Sequence, residues 1–82
     1  MNGWIGVDLD GTLAHYEEWK GPEHIGDPIP AMLNRVKIWL ENGQEVRIFT
    51  ARARIPEQIP PIELWCQKWI GVVLVITCSK DF

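Results

Sequence analysis

The sequence is poor in the features that mark several large classes of protein. It has only 2 cysteines, Cys66 and Cys78, in 82 residues, which is too few for a disulfide scaffold or a four-thiolate zinc site. We expect both to be small hydrophobic side chains in a reducing compartment. No apolar run approaches the roughly 20 residues of a membrane span, and the N-terminus has no signal-peptide pattern. These absences predict a soluble, cytoplasmic protein that does not bind membranes.

An excess of positive charge is also absent. The chain has 8 Lys and Arg against 11 Asp and Glu, for a net charge of −3, and its isoelectric point is near 5.2. A chain with this balance has no general field that attracts phosphate backbones, which argues against nonspecific nucleic-acid binding. With 46% hydrophobic and 23% charged residues, residues 1–82 are expected to form a single small globular domain with a thin core.

Short apolar runs alternate along the chain with segments of helical periodicity. Three strands are predicted at residues 3–9, 45–49 and 72–76, and two helices at residues 30–42 and 61–70. The last strand is a run of branched aliphatic residues without alternation, which favours a central or well-covered position. Residues 14–28 contain several Gly and Pro and show no period, so they are predicted to be a loop or flap.

The predicted order βαβαβ indicates an α/β domain with a parallel sheet and right-handed crossovers. The unusual polar residues then fall at the carboxyl ends of strands: Asp8, Asp10, Thr50 and Lys80. In open α/β sheets this is the edge at which ligands bind. The sequence therefore predicts a functional site at that edge.

Asp8 and Asp10 follow the first apolar run two residues apart, so extended geometry points both carboxylates to the same side. Two such groups repel unless a divalent cation, a shared proton or a turn at Gly11 relieves them. The simpler alternative is a pair of solvated aspartates that cap a turn together with Thr12. Their position directly after a buried strand favours a functional role.

The segment Asp8–Leu13, Asp-Leu-Asp-Gly-Thr-Leu, resembles the first motif of the haloacid dehalogenase (HAD) superfamily. The second motif of that family, a hydrophobic strand that ends in Thr or Ser, is matched by Val46–Thr50, and the third, a later basic residue, by Lys80. The resemblance covers essentially the whole chain and is closest to small capless bacterial and phage members. It implies a truncated HAD core, a three-layer Rossmann-like parallel sheet with strand order 3-2-1.

The resemblance also implies a function, a Mg²⁺-dependent phosphomonoester hydrolase that acts through an aspartyl-phosphate. Asp8 would be the nucleophile and Asp10 the general acid and base, while Thr50 and main-chain amides would hold the phosphoryl oxygens. Lys80 and Mg²⁺ would offset negative charge, with Mg²⁺ bound by the Asp8 carboxylate and the Asp10 carbonyl. The neighbouring positions expected to bind the phosphorylated substrate are Leu9, Gly11, Thr12, Ala51 and Arg52.

Two groups of side chains near these motifs have open alternatives. Arg52 and Arg54 follow Thr50 and either grip a second phosphate or carboxylate of a substrate or are exposed cations without a specific role. The aromatic and histidine side chains of the predicted flap either contact a leaving group or pack over the sheet edge.

The fourth motif of the family, one or two acidic residues after a further strand, has no match before Phe82, and Asp81 is too close to Lys80 to serve as one. Either the chain is part of a longer enzyme, or it is a short protein with an impaired or borrowed metal site. The alternative function is a non-catalytic binding module. Without a further strand, the first strand is an open edge free of lysine and proline, so we expect a homodimer or other self-association there.

Overall fold

The computed structural model describes residues 3–79 as an α/β unit. In chain order its elements are β1 (Ile5–Asp8), α1 (Pro30–Glu41), β2 (Val46–Phe49), α2 (Ile59–Trp69) and β3 (Val75–Thr77). Two short 3-10 helices, Ala51–Arg54 and Pro56–Gln58, lie between β2 and α2. Both predicted helices are therefore confirmed to within two residues at each end, whereas the 3-10 helices were not predicted. No helix in this described part of the chain is long and apolar enough to cross a membrane.

The three strands form one parallel sheet in the order β1-β2-β3, with β2 in the middle. In its register, Val7 pairs with Ile48 and Ile48 with Ile76. The predicted parallel α/β class is confirmed. Because all strands point the same way, their carboxyl ends lie along one edge of the sheet.

Both helices pack on the same face of the sheet. The buried cluster between helices and sheet takes side chains from α1, α2, β1 and β2, among them Val36, Ile62, Cys66, Val7 and Ile48. The two crossovers run in one direction across the sheet, and right-handed crossovers in one direction place their helices on one side. Residues 3–79 therefore form two layers, where three were expected.

The opposite face of the sheet, here called the open face, is covered mainly by one indole ring. Trp4 is only 8% exposed, and its ring stands over Gly6, where a Cβ would lie 2.9 Å from Cζ3 of Trp4. The Arg47 guanidinium carbon lies 4.7 Å from the ring centroid. The open face comprises alternate residues of the three strands and Trp4: Trp4, Gly6, Asp8, Arg47, Phe49, Val75 and Thr77.

The third strand differs most from its prediction. It occupies Val75–Thr77 instead of residues 72–76, and it is an edge strand. Val72, Val73 and Val75 are each about half exposed, so the expectation of a central or well-covered strand was wrong. A run of aliphatic residues favours burial on both faces, but within residues 3–79 no element covers the open face beside β3.

The flap, residues 14–28, is irregular, as predicted. Its ends are held together where the His15 N–H donates to the Asp27 carbonyl at 2.9 Å. Gly26 passes so close to the main chain of His15 that any Cβ there would overlap the His15 carbonyl. The indole N–H of Trp65 in α2 donates to the Gly26 carbonyl at 2.9 Å. The flap is thus anchored to the helical layer at its base.

Candidate functional site

The turn that follows β1 presents the two aspartates. The N–H of Leu13 donates to the carbonyls of Asp8 and Leu9 at 3.2 Å and 3.0 Å, and both leucines are fully buried. Between them, Gly11 has a φ of +84°, a left-handed conformation that glycine adopts without a steric cost. Two buried leucines therefore pin a tight turn whose polar residues, Asp8 and Asp10, face outward from the core.

Thr50 lies at the corresponding point after β2. Its main-chain N–H donates to the Thr77 carbonyl at 2.9 Å, and its Oγ1 accepts the N–H of Arg52 at 3.2 Å. Thr50 therefore caps the 3-10 helix Ala51–Arg54, and it is only 7% exposed. A hydroxyl that accepts one hydrogen bond still carries its own proton, so Thr50 can donate to an oxygen in front of it.

Most of the site residues expected from the sequence surround one cavity at the carboxyl edge of β1 and β2. This cavity, here called the Asp8 cavity, has a volume of about 360 Å³. Six of the residues that line it were expected from the motifs, namely Asp8, Leu9, Asp10, Thr50, Ala51 and Arg52. The rest of the lining consists of Phe49 at the end of β2 and two aromatic residues of the flap, Tyr16 and Trp19. Gly11 and Thr12, also expected to bind substrate, instead line a separate depression beside α1.

Lys80 lies outside the described residues, as does Asp81. The assignment of Lys80 as the third-motif cation therefore stays a prediction.

Arg52 forms the strongest polar contact of the site, and it does so with a partner that the sequence did not indicate. Its Nε and Nη2 donate to Oδ2 and Oδ1 of Asp10 at 2.9 Å and 2.8 Å. Its Nη1 makes a longer hydrogen bond, 3.4 Å, to the Pro22 carbonyl in the flap, and its guanidinium carbon lies 4.8 Å from the ring centroid of Trp19. Arg52 is 7% exposed. It thus joins the first turn, the flap and the segment after β2.

A second, smaller cavity of about 130 Å³ lies within the flap and is here called the flap cavity. It shares Asp10, Tyr16 and Arg52 with the Asp8 cavity, so these three residues lie between the two spaces. The rest of its lining comes from the flap: His15, Glu17, Glu18, Lys20, His24 and Gly26. No sequence signal predicted this arrangement, because the flap has no hydrophobic period and its shape depends on contacts with α2 and Arg52.

The Mg²⁺ site implied by the resemblance is incomplete in the described part of the chain. No group of three or more His, Cys, Asp or Glu among residues 3–79 is placed to hold a metal ion. Both carboxylate oxygens of Asp10 are engaged by Arg52, which leaves the Asp8 carboxylate and a main-chain carbonyl. Mg²⁺ is held in octahedral geometry by carboxylates, substrate phosphates and several waters. The residues described do not provide a dedicated site, and Mg²⁺ dependence stays a prediction that needs a further ligand.

No family model, curated protein or solved structure matches this chain. An exposed carboxylate, a buried hydroxyl and an arginine-bound carboxylate lie around one cavity at the ligand-binding edge of a parallel sheet. A ligand in this cavity meets the Thr50 hydroxyl and two carboxylates, and Arg52 carries the one positive charge among the lining residues that the structure describes.

Proposed function

We propose that the chain is a phosphomonoester hydrolase of the HAD type, with Asp8 as the nucleophile. The observation that carries this proposal is that Asp8 and Thr50, which match separate motifs on separate strands, line the same cavity. Asp8 is exposed and makes no ion pair within the residues described. Among residues 3–79, its carboxylate is therefore open to a ligand in the Asp8 cavity, the position from which a carboxylate nucleophile acts.

The reaction proceeds in two displacements. An Asp8 carboxylate oxygen attacks phosphorus, and as the new oxygen–phosphorus bond forms, the bond from phosphorus to the leaving alcohol breaks. The leaving oxygen takes a proton from the carboxylic acid of Asp10. Water then attacks the phosphorus of the aspartyl-phosphate, the bond to Asp8 breaks, and Asp10 takes the proton from that water. The net change is an ester and water to an alcohol and phosphate.

Thr50 contributes by position. Its hydroxyl donates to a phosphoryl oxygen, where negative charge is held as the phosphoryl group moves. Because Thr50 is buried and its main chain is tied to β3 through Thr77, the donor is oriented before substrate arrives. Preorganisation of this kind avoids a reorganisation cost during the reaction.

The test is hydrolysis of p-nitrophenyl phosphate by the full chain in Mg²⁺ buffer, at protein concentrations high enough to detect slow turnover. We expect Asp8→Asn to abolish turnover and Asp10→Asn to reduce it by about 10²-fold, the usual scale of general acid and base loss. Asp27→Asn is the matched control, because Asp27 is exposed in the flap and does not line the Asp8 cavity. Intact-mass measurement after an acid quench should show one added phosphoryl group on the wild type and none on Asp8→Asn. Turnover by Asp8→Asn equal to that of the wild type would refute the assignment.

The second candidate is a binding module that uses the same cavity without catalysis. Two observations favour it. Both Asp10 oxygens are engaged by Arg52, and residues 3–79 do not complete a metal site. Saturable binding of inorganic phosphate without turnover or phosphoryl transfer, at an affinity that Asp8→Asn does not lower, would decide for this alternative.

A further inference from the structure

Arg52 is held in place from both its main chain and its side chain. Its main-chain N–H donates to Oγ1 of Thr50, and its guanidinium binds Asp10 through two nearly equal hydrogen bonds. On its other side, Trp19 and the Pro22 carbonyl of the flap contact the same guanidinium. Arg52 therefore couples the residues that match the first two motifs and ties both to the flap.

These contacts occupy the group that the proposed reaction needs. Asp10 must give a proton to a leaving oxygen, yet each of its carboxylate oxygens accepts an N–H from Arg52. Bidentate hydrogen bonds between arginine and a carboxylate are among the strongest in proteins. A neutral leaving group has no negative charge to pair with Arg52. Asp10 therefore stays bound to Arg52, and out of the reaction, until another group takes its place.

Only another anion can take the place of Asp10 without a large penalty. The side chain of Arg52 is 6% exposed, and a buried guanidinium left without an anionic partner is strongly destabilising. A phosphate or carboxylate matches the same two-donor geometry. The flap cavity lies beside this position, and its lining includes Lys20 as well as the carboxylates of Glu17 and Glu18. The Asp8 cavity lies on the other side and, among the residues described, has no acidic residue besides Asp8 and Asp10 in its lining, so a second anion paired with Arg52 is favoured on that side.

We propose that the substrate is a phosphate monoester whose alcohol carries a second anionic group, and that this group displaces Asp10 from Arg52. The displaced carboxylate then takes up a proton from solvent and is free to give it to the leaving oxygen. Arg52 acts as a positioning residue, because it withholds Asp10 when no such substrate is bound and releases it when one is. This inference rests on the proposed phosphatase function, in which the phosphoryl group occupies the Asp8 cavity.

The experiment compares non-hydrolysable ligands that differ in their second anion. Methylphosphonate has one anionic group; phosphonoacetate and 3-phosphonopropionate add a carboxylate, and methylenediphosphonate adds a second phosphonate. Each is titrated into the full chain in Mg²⁺ buffer at constant ionic strength. Nuclear magnetic resonance follows the side-chain Nε–H of Arg52, the carboxyl carbon of Asp10, and the main-chain amides of Leu9 and Thr50. The Nε–H of Arg54 is the internal control, since Arg54 is exposed and lines neither cavity.

We expect at least one ligand with a second anion to bind about tenfold or more tightly than methylphosphonate, a ratio within the range of one charge-assisted contact. Its binding should shift the signals of Arg52 and Asp10 together and leave Arg54 unchanged. Arg52→Lys should remove the preference for the second anion, so that the four ligands bind with similar affinities, and Arg54→Lys should leave the preference unchanged. Whether carboxylate or phosphonate binds better identifies the second group.

Asp10→Asn provides a test that does not depend on the stability of an Arg52 variant. An asparagine competes less well than a carboxylate for Arg52, so ligands with a second anion should gain more affinity from this substitution than methylphosphonate gains. An equal gain for all four ligands would reflect only the lost negative charge beside the Asp8 cavity and would overturn the inference. Asp27→Asn, which removes a carboxylate elsewhere in the flap, should leave the affinities unchanged.

The outcomes separate this inference from the function on which it rests. Shifts at Leu9 and Thr50 without a shift at Arg52, or equal affinity for all four ligands, would overturn the inference and leave the phosphatase proposal standing. A shift at Arg52 with none at Leu9 and Thr50 would place the anion outside the Asp8 cavity and overturn both. No shift at any of these groups would likewise overturn both.

Discussion

The two faces of the sheet are built in different ways. On the covered face, Val7, Val46 and Ile48 are at most 4% exposed beneath the two helices. On the open face, the indole of Trp4 stands over Gly6, Arg47 and Phe49 of β2 are half-buried, and Val75 of β3 is 55% exposed. The asymmetry arises because both crossovers pass on one side of the sheet.

Because of this difference, the residues that stabilise the fold and the candidate nucleophile lie on different sides of the sheet. Alternation along β1 places Val7 in the core and Asp8 on the open face, so neighbouring residues of one strand have different roles. The burial that stabilises the fold lies under the helices, whereas the candidate nucleophile and the Asp8 cavity lie at the edge of the less covered side. Substitutions on the two faces should therefore have different consequences.

The largest expected effect on stability is at the centre of the covered face. Ile48 is fully buried in the middle strand, and Ile48→Ala should lower the free energy of unfolding by about 3 kcal/mol, through lost transfer free energy and the cavity left behind. Urea unfolding followed by circular dichroism measures this change. Val75→Thr on the open face is the comparison and should change the free energy by less than about 0.5 kcal/mol. Similar losses in both variants would mean that the open face is buried in solution.

The Trp4 ring tests how much of the open face contributes to the fold. Trp4→Ala should cost about 2 kcal/mol, less than the 3–5 kcal/mol common for tryptophan in a closed core, because neither α1 nor α2 packs over this ring. Trp4→Phe should retain much of this stability, and near-ultraviolet circular dichroism reports whether the aromatic environment is kept. A loss below about 0.5 kcal/mol, the range of ordinary surface positions, would show that the ring is not a structural cover.

The two cysteines differ in burial, because Cys66 lies in the core and Cys78 follows the edge strand β3. Burial, reinforced by the negative charge of Glu63, raises the pKa of the Cys66 thiol above its ordinary 9.0, although a hydrogen bond with the main chain of Leu74 opposes the shift. Iodoacetamide at pH 8 should therefore modify the partly exposed Cys78 and leave Cys66 unmodified until urea unfolds the chain. Mass spectrometry of the digested protein assigns each adduct.

The raised pKa of Cys66 also makes the free energy of unfolding depend on pH. The folded state favours the neutral thiol of Cys66, so its contribution is fully present below the ordinary pKa of 9.0 and is lost as pH rises through the folded-state value. Cys66→Ser should reduce this alkaline loss of stability. Equal alkylation rates for the two cysteines in the native protein would contradict the burial of Cys66.

The smallest expected effect is self-association at low concentration. Within residues 3–79, β1 has no strand partner on the side away from β2, and Val75 on the open face is 55% exposed. Both features favour contact with a second copy. Sedimentation velocity at low micromolar concentration should show a concentration-dependent dimer. Val75→Lys should weaken the dimer if the open face pairs and leave it unchanged if the β1 edge pairs. A stable monomer throughout would contradict the prediction.

Much of the architecture follows from local pattern in the sequence. Spacings of three and four, together with Pro30 and Gly43, placed α1 within one residue of its observed end, because a helix needs one continuous apolar stripe and clear stops. The third strand was misplaced, since a short aliphatic run carries no information about which face will be covered. That covering depends on the direction of the crossovers.

The sequence alone determined that Asp8, Asp10 and Thr50 fall at the ends of neighbouring strands, because parallel strands bring their carboxyl ends to one edge. Only the tertiary structure decided that Arg52 pairs with Asp10, which is 42 residues away in the chain, and that Trp19 and Pro22 enclose this pair. The residues around an arginine in a loop have no periodic pattern from which its partner could be predicted. Its contacts depend on how an irregular flap packs against a helix and a turn, and such packing exists only once the chain has folded.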